Sequence, residues 1–129
     1  NRLLAWGHAR AIENLLERQP DCPRAVSDQF GSKSIVPRAL LERGRKITLE
    51  QRHKAESDIA VAAASILARA MFVKRMEELA KSAGMTLPKG ASGKVREAAV
   101  ALYRKVGEGQ FGEYVKLHFR TTAQVKSEA

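Results

Sequence analysis

Cysteine is almost absent: Cys22 is the one example in 129 residues. That excludes a disulfide within the chain and a cysteine-based zinc site, and it reads as a reducing, cytoplasmic setting. Cys22 lies in Gln19-Pro20-Asp21-Cys22-Pro23, where it serves as a small spacer in a turn rather than a nucleophile. No uninterrupted apolar run reaches the roughly 18 residues of a membrane span, so no membrane partner is expected. The opening residues Asn1-Arg2-Leu3-Leu4-Ala5-Trp6 lack a signal-peptide layout and begin inside a helical pattern, so an upstream segment is expected. Aromatic residues make up 5%, too few for a platform that stacks bases of a single strand. Acids are also in deficit, 14 against 23 Lys and Arg, for a net charge of +9.

That excess suits a polyanionic partner, because basic side chains release counterions from phosphates; a merely soluble basic protein is the plainer alternative. Basic residues dominate Gly31–Ala55 and again Lys81–Lys126, while Ser57–Leu79 is balanced. The pattern implies two basic surfaces flanking an apolar element. With 44% hydrophobic residues the chain has material for a core, so disorder is not expected.

Leu3, Leu4, Trp6, Ala9, Ile12, Leu15 and Leu16 recur at helical spacing and predict a first helix packed through them, ended by Pro20 and Pro23. Arg24–Asp28 reads as a short strand ending in an acid. Pro37–Glu42 predicts a short helix, Lys46–Leu49 a second strand, and Ser57–Ser82 a long helix. The first half of that helix is apolar on every side, which predicts burial on most faces. Gly84 should stop it. Ser92 is a good N-cap for a helix over Lys94–Val106, Gly107 interrupts the chain beyond that helix, and the segment after Thr122 is expected to fray. Two strands are too little sheet for an α/β domain, which again suggests strands from upstream.

Three features could carry chemistry. Asp28 ends a strand, where ligand sites of open α/β sheets lie. Glu56 and Asp58 flank the start of the long helix. Carboxylates that meet there could share hard divalent cations, two of which, about 4 Å apart, can stabilise the attacking and leaving oxygens of a phosphoryl displacement. Dipole compensation, worth about 0.3–1 kcal/mol, and ordinary turn preference explain the same acids, and spacing leaves both readings open. Lys89, Ser92 and Lys94 surround a predicted helix N-terminus whose amides could bind phosphate; a solvated, capped turn explains them equally. The Gly spacing before Gly93-Lys94 is not that of a Walker A loop. His8, His53 and His118 show no helical zinc spacing, and surface roles are expected for all three.

Lys54-Ala55-Glu56-Ser57-Asp58 followed by Ala62-Ala63-Ala64-Ser65-Ile66 resembles the signature of type 2 ribonucleases H. Leu3–Arg10, Leu87–Ser92 and Lys116–Thr122 resemble the HIII branch of that family, and Ser27-Asp28-Gln29-Phe30 is similar to its strand-end Asp. The resemblance covers nearly the whole chain in matching order. It implies an α/β, RNase H-like fold, of which this chain is the carboxy-terminal, helix-rich portion with part of the central sheet. Residues 1–122 would be the carboxy-terminal part of the catalytic domain and 123–129 a flexible tail. The implied site has four carboxylates and two metal ions, Mg²⁺ or Mn²⁺, and cleaves the RNA strand of RNA–DNA hybrids to leave a 5′-phosphate. Asp28 would be its third acid and Glu56 its fourth. Asp58 rivals Glu56, because the gap from Glu56 to Ala64-Ser65 is one residue shorter than the family's. Lys54, Lys89 and Lys94 would lie near the hybrid backbone, with Ser92 in the same loop.

The family's leading Asp-Glu pair has no counterpart, since no Asp-Glu dipeptide occurs in the chain, and its small amino-terminal substrate domain has none either. The expectation is a nuclease completed by an upstream segment, with the fragment alone inactive. A basic nucleic-acid-binding module without catalysis is the main alternative, and a non-catalytic assembly fragment the weaker one.

Overall fold

Two alanines, Ala5 and Ala9, begin the inner seam of the first helix. In the computed structural model, which describes residues 2–129, helix α1 (Arg2–Arg18) buries Ala5, Ala9, Glu13 and Leu16. Trp6, Leu3, Leu4 and Leu15 stand at least half exposed, against the expectation that they pack inward. The buried positions lie three and four residues apart, one stripe of a helix, and the two alanines let neighbouring backbone come close. Leu3, Leu4, Trp6 and Leu15 share the helical period but occupy the faces beside that stripe.

The chain divides into two compact units, Asn1–Ala68 and Arg69–Ala129. In the first, strands β1 (Arg24–Asp28) and β2 (Thr48–Arg52) pair in parallel, with Arg24 opposite Thr48 and Asp28 opposite Arg52. A parallel pair needs a crossover. Here it holds helix α2 (Ile35–Ala39), a little earlier than expected, and a 3₁₀ turn at Gly44–Lys46. That turn takes up residues 44–46, so β2 begins at Thr48 and not at Lys46 as the sequence suggested. α1 packs on α2, with Val36 and Leu40 fully or nearly buried.

Glu13 fastens this unit. It is 5% exposed, and its Oε1 accepts the amide protons of Leu41 and Gly44, both at 2.8 Å, while Oε2 accepts that of Arg43 at 3.1 Å. A buried carboxylate is tolerated when amides satisfy it in this way. A Cβ on Gly44 would lie 2.7 Å from Glu13 Oε1 and from Leu40 Cδ2, so the close approach requires glycine there.

Helix α3 (Ile59–Ala83) ends as expected at Gly84. Gly84, with φ of 59°, donates to Lys81 and Met85 donates to Ala80, both at 3.1 Å, a Schellman cap. Burial of α3 is not as expected. Ile59 is 86% exposed, Ile66, Leu67 and Met71 are more than half exposed, and only Ala83 is buried. An all-round apolar helix needs partners on all sides, and the described elements cover only its end.

In the second unit, α4 (Gly93–Phe111) is broken at Gly107, whose φ of 74° suits glycine. Leu102, Phe111, Ala83 and Val125 form its core, with Tyr103 edge-on to Phe111 at 5.0 Å. Val125 belongs to a further helix, α5 (Arg120–Glu128), where the sequence suggested frayed chain after Thr122. The burial of Thr122 and Val125, one turn apart, accounts for that helix.

Candidate active site

Asp28 closes β1 and is exposed. Its neighbour Ser27 points to the other side of the strand and is buried, as the two-residue period of a strand requires. One further bond, from the Gln29 amide to the Arg52 carbonyl at 3.1 Å, carries the pairing past the strand end and fixes where Asp28 points.

After β2 the chain reverses through His53 and Lys54. Lys54 takes a left-handed conformation, φ 55° and ψ 43°, unfavourable for a residue with a Cβ. The reversal starts a 3₁₀ turn at Ala55–Ser57 and aims the amide of the buried Ala55 at the sheet, where it donates to Asp28 Oδ1 at 3.1 Å. The strand-end acid is therefore tied to the residue before Glu56. Oδ2 of Asp28 has no hydrogen-bond partner among the described residues.

Glu56 is exposed and makes no hydrogen bond or ion pair among the described residues. Asp58 differs. Its Oδ1 accepts the Ala60 amide at 2.9 Å, and its carbonyl accepts the Ala62 amide at 2.9 Å, which makes it the N-cap of α3. Its Oδ2 meets Arg52 at 3.3 Å, and Arg52 also approaches Glu50 at 3.5 Å. Both Asp58 oxygens are thus committed to structure, whereas those of Glu56 are unpaired among the described residues.

His8, expected on the surface, is half-buried. Its Nδ1 lies 3.2 Å from Ser27 Oγ, and its ring lies 4.8 Å from that of Phe30. Burial holds its pKa below the ordinary imidazole value, partly offset by the negative charge of Asp28. The signal was present in the sequence: His8 directly precedes Ala9 of the buried stripe.

Lys89, Ser92 and Lys94 are exposed in the second unit. Ser92 holds the N-cap position of α4 through its carbonyl, which accepts the amides of Val95 and Arg96 at 3.0 and 3.3 Å; its hydroxyl makes no capping bond. Lys89 lines an open cavity of about 560 Å³ with Met85, Leu87 and Pro88. Among the described residues no three His, Cys, Asp or Glu side chains converge on one point. Asp28, with a free oxygen, and the unpaired Glu56, next in sequence to Ala55, offer hard carboxylate oxygens. They fit a hard divalent cation that draws its other ligands from water or from elsewhere.

The fold matches a crystal structure of Bst-RNase HIII in complex with Mn²⁺ with a TM-score of 0.87 at 34% identity, over 99% of this chain and 43% of that one. It is therefore an α/β protein of the RNase H-like class. The model of the ribonuclease HII family matches residues 1–122, and the chain belongs to that family. Relatives named ribonuclease HIII include that of Protochlamydia amoebophila (strain UWE25), 45% identical over 121 residues, 94% of this chain and 40% of the relative. That of Chlamydia muridarum is 43% identical over 126 residues, 97% of this chain and 42% of the relative. The chain thus spans less than half the length of the relatives it matches.

Proposed function

We propose that the protein carrying this chain is a ribonuclease H of the HIII kind, which hydrolyses the RNA strand of RNA–DNA hybrids with Mg²⁺ or Mn²⁺. The bond from the Ala55 amide to Asp28 Oδ1 carries the reading, because it draws a strand-end carboxylate to the turn that bears Glu56. In this reading Asp28 and Glu56 are the metal ligands and Asp58 the cap. Bound cations would supply an activated water and charge stabilisation at the scissile phosphate. Two carboxylates hold Mg²⁺ weakly, since it dehydrates reluctantly. The remaining acids then come from an upstream segment, and the isolated chain is inactive. The exposed apolar residues of α3 support the same view, since such a helix is stable only when covered. Exposed Lys54, Lys89 and Lys94 contribute attraction to the hybrid backbone, and Ser92 a hydroxyl in the loop between Lys89 and Lys94. Cytoplasmic placement fits the single thiol; among the described residues no helix is long and apolar enough to cross a membrane.

The test is hybrid cleavage by the full-length protein. Asp28→Asn and Glu56→Gln should each abolish turnover with the fold intact by circular dichroism, and chelation should do the same. Asp58→Asn should keep most activity. Full turnover by Asp28→Asn sinks the reading. The net charge of +9 favours, as a second reading, a binding module without catalysis. It predicts hybrid binding that survives chelation and no cleavage by the intact protein.

A further inference from the structure

We propose that His8 is a positioning residue for Asp28, acting through the hydroxyl of Ser27. Ser27 has one hydroxyl proton, and the Asp28 carbonyl 3.1 Å away can only accept it. The 3.2 Å contact to His8 Nδ1 is then satisfied only when Nδ1 carries a proton and donates to Ser27 Oγ. The relay runs from α1, through a serine only 6% exposed, to the peptide group of Asp28. Phe30 packs against the imidazole and fixes its plane. On the opposite side the Ala55 amide holds the Asp28 carboxylate. Backbone and side chain of Asp28 are therefore fixed separately, by α1 and by the turn after β2. A ligand oriented before binding loses less freedom when the cation arrives, and supporting groups of this kind typically alter metal affinity or activity by 10–100-fold. Nδ1 is occupied by Ser27, so His8 works through the strand end and not as a ligand through that atom.

This inference rests on Asp28 being a metal ligand, and the experiment separates the two ideas. Mn²⁺ alone is titrated calorimetrically into the full-length protein and its variants. His8→Phe keeps a ring against Phe30 but lacks the donor. His8→Asn supplies an amide N–H near the position of Nδ1 but lacks the ring. His8→Phe and Ser27→Ala should each weaken Mn²⁺ binding about 10-fold. His8→Asn should restore most of the loss, and the double variant His8→Phe/Ser27→Ala should be no worse than either single one. In hybrid cleavage the loss should fall on kcat, with KM unchanged. Undiminished Mn²⁺ affinity in His8→Phe overturns the relay, as does an equal loss in His8→Asn, because packing would then decide. If His8→Phe fails to fold, Ser27→Ala carries the same test, and its undiminished affinity overturns the relay. Asp28→Asn is the control: if it binds Mn²⁺ as tightly as the parent, the site reading itself has failed.

Discussion

Glu13 and Phe111 hold their parts of the chain by opposite means. In the unit up to Ala68, a buried carboxylate gathers three backbone amides, a serine relays between a helix and a strand end, and an aspartate accepts the amide of a turn. In the unit from Arg69, Phe111, Leu102 and Val125 pack on one another, and apart from the bond of Thr122 to the Lys116 carbonyl the side-chain polar contacts lie at the surface. Apolar packing stabilises without direction, whereas an amide bonded to a carboxylate fixes a loop to within tenths of an ångström. The unit bearing the candidate ligands adds directional contacts to the apolar packing of Ala9, Leu16, Val36 and Leu40.

The largest test of that contrast is Phe111→Ala, which should cost about 4 kcal/mol in chemical denaturation, with amide exchange rising in α4 and α5. A cost below about 1 kcal/mol would show that the second unit is not held by its core. Glu13→Ala should cost about 3 kcal/mol by leaving three amides without partners, and exchange should quicken at Leu41, Arg43 and Gly44. No change there would erase the difference between the units. Gly44→Ala sharpens the point: a methyl 2.7 Å from Glu13 Oε1 must push the clamp open, for about 2 kcal/mol.

Lys54→Gly should work in the other direction. Relief of a left-handed φ of 55° should raise stability by about 1 kcal/mol, where Lys54→Ala should not. Equal effects of the two would mean that the turn costs nothing. The smallest effect is of pH. Burial lowers the His8 pKa from 6.5, so on acidification the unfolded chain takes up its proton before the folded one. Stability is complete above 6.5 and falls slightly as pH drops through the folded value. A pH series of denaturation midpoints should show that slope, and His8→Asn should flatten it.

Much of the candidate site was legible because its signals are local. Asp28 closes a five-residue β run bounded by Pro23 and Gly31, and the order of short segments around Lys54–Ser65 carries the family resemblance. The parts that were not legible depend on distant partners. Glu13 resembles any solvent-facing acid until the loop at Leu41–Gly44 folds over it, 28 to 31 residues away. Glu56 and Asp58 are two residues apart and equivalent as ligands on spacing. Only the contacts of Asp58 with Ala60 and Arg52 separate them.

Helices α1, α3 and α4, the Gly84 stop of α3, the basic charge and the family were all readable from local sequence. Those arise from the periodicity of side chains along one stretch of chain and from backbone freedom at single residues. The tertiary structure alone decided which face of α1 is inside, that Asp28 meets the amide of Ala55, and that His8 reaches Ser27. Such contacts join residues 19 to 27 positions apart, and no local pattern encodes the distance between them.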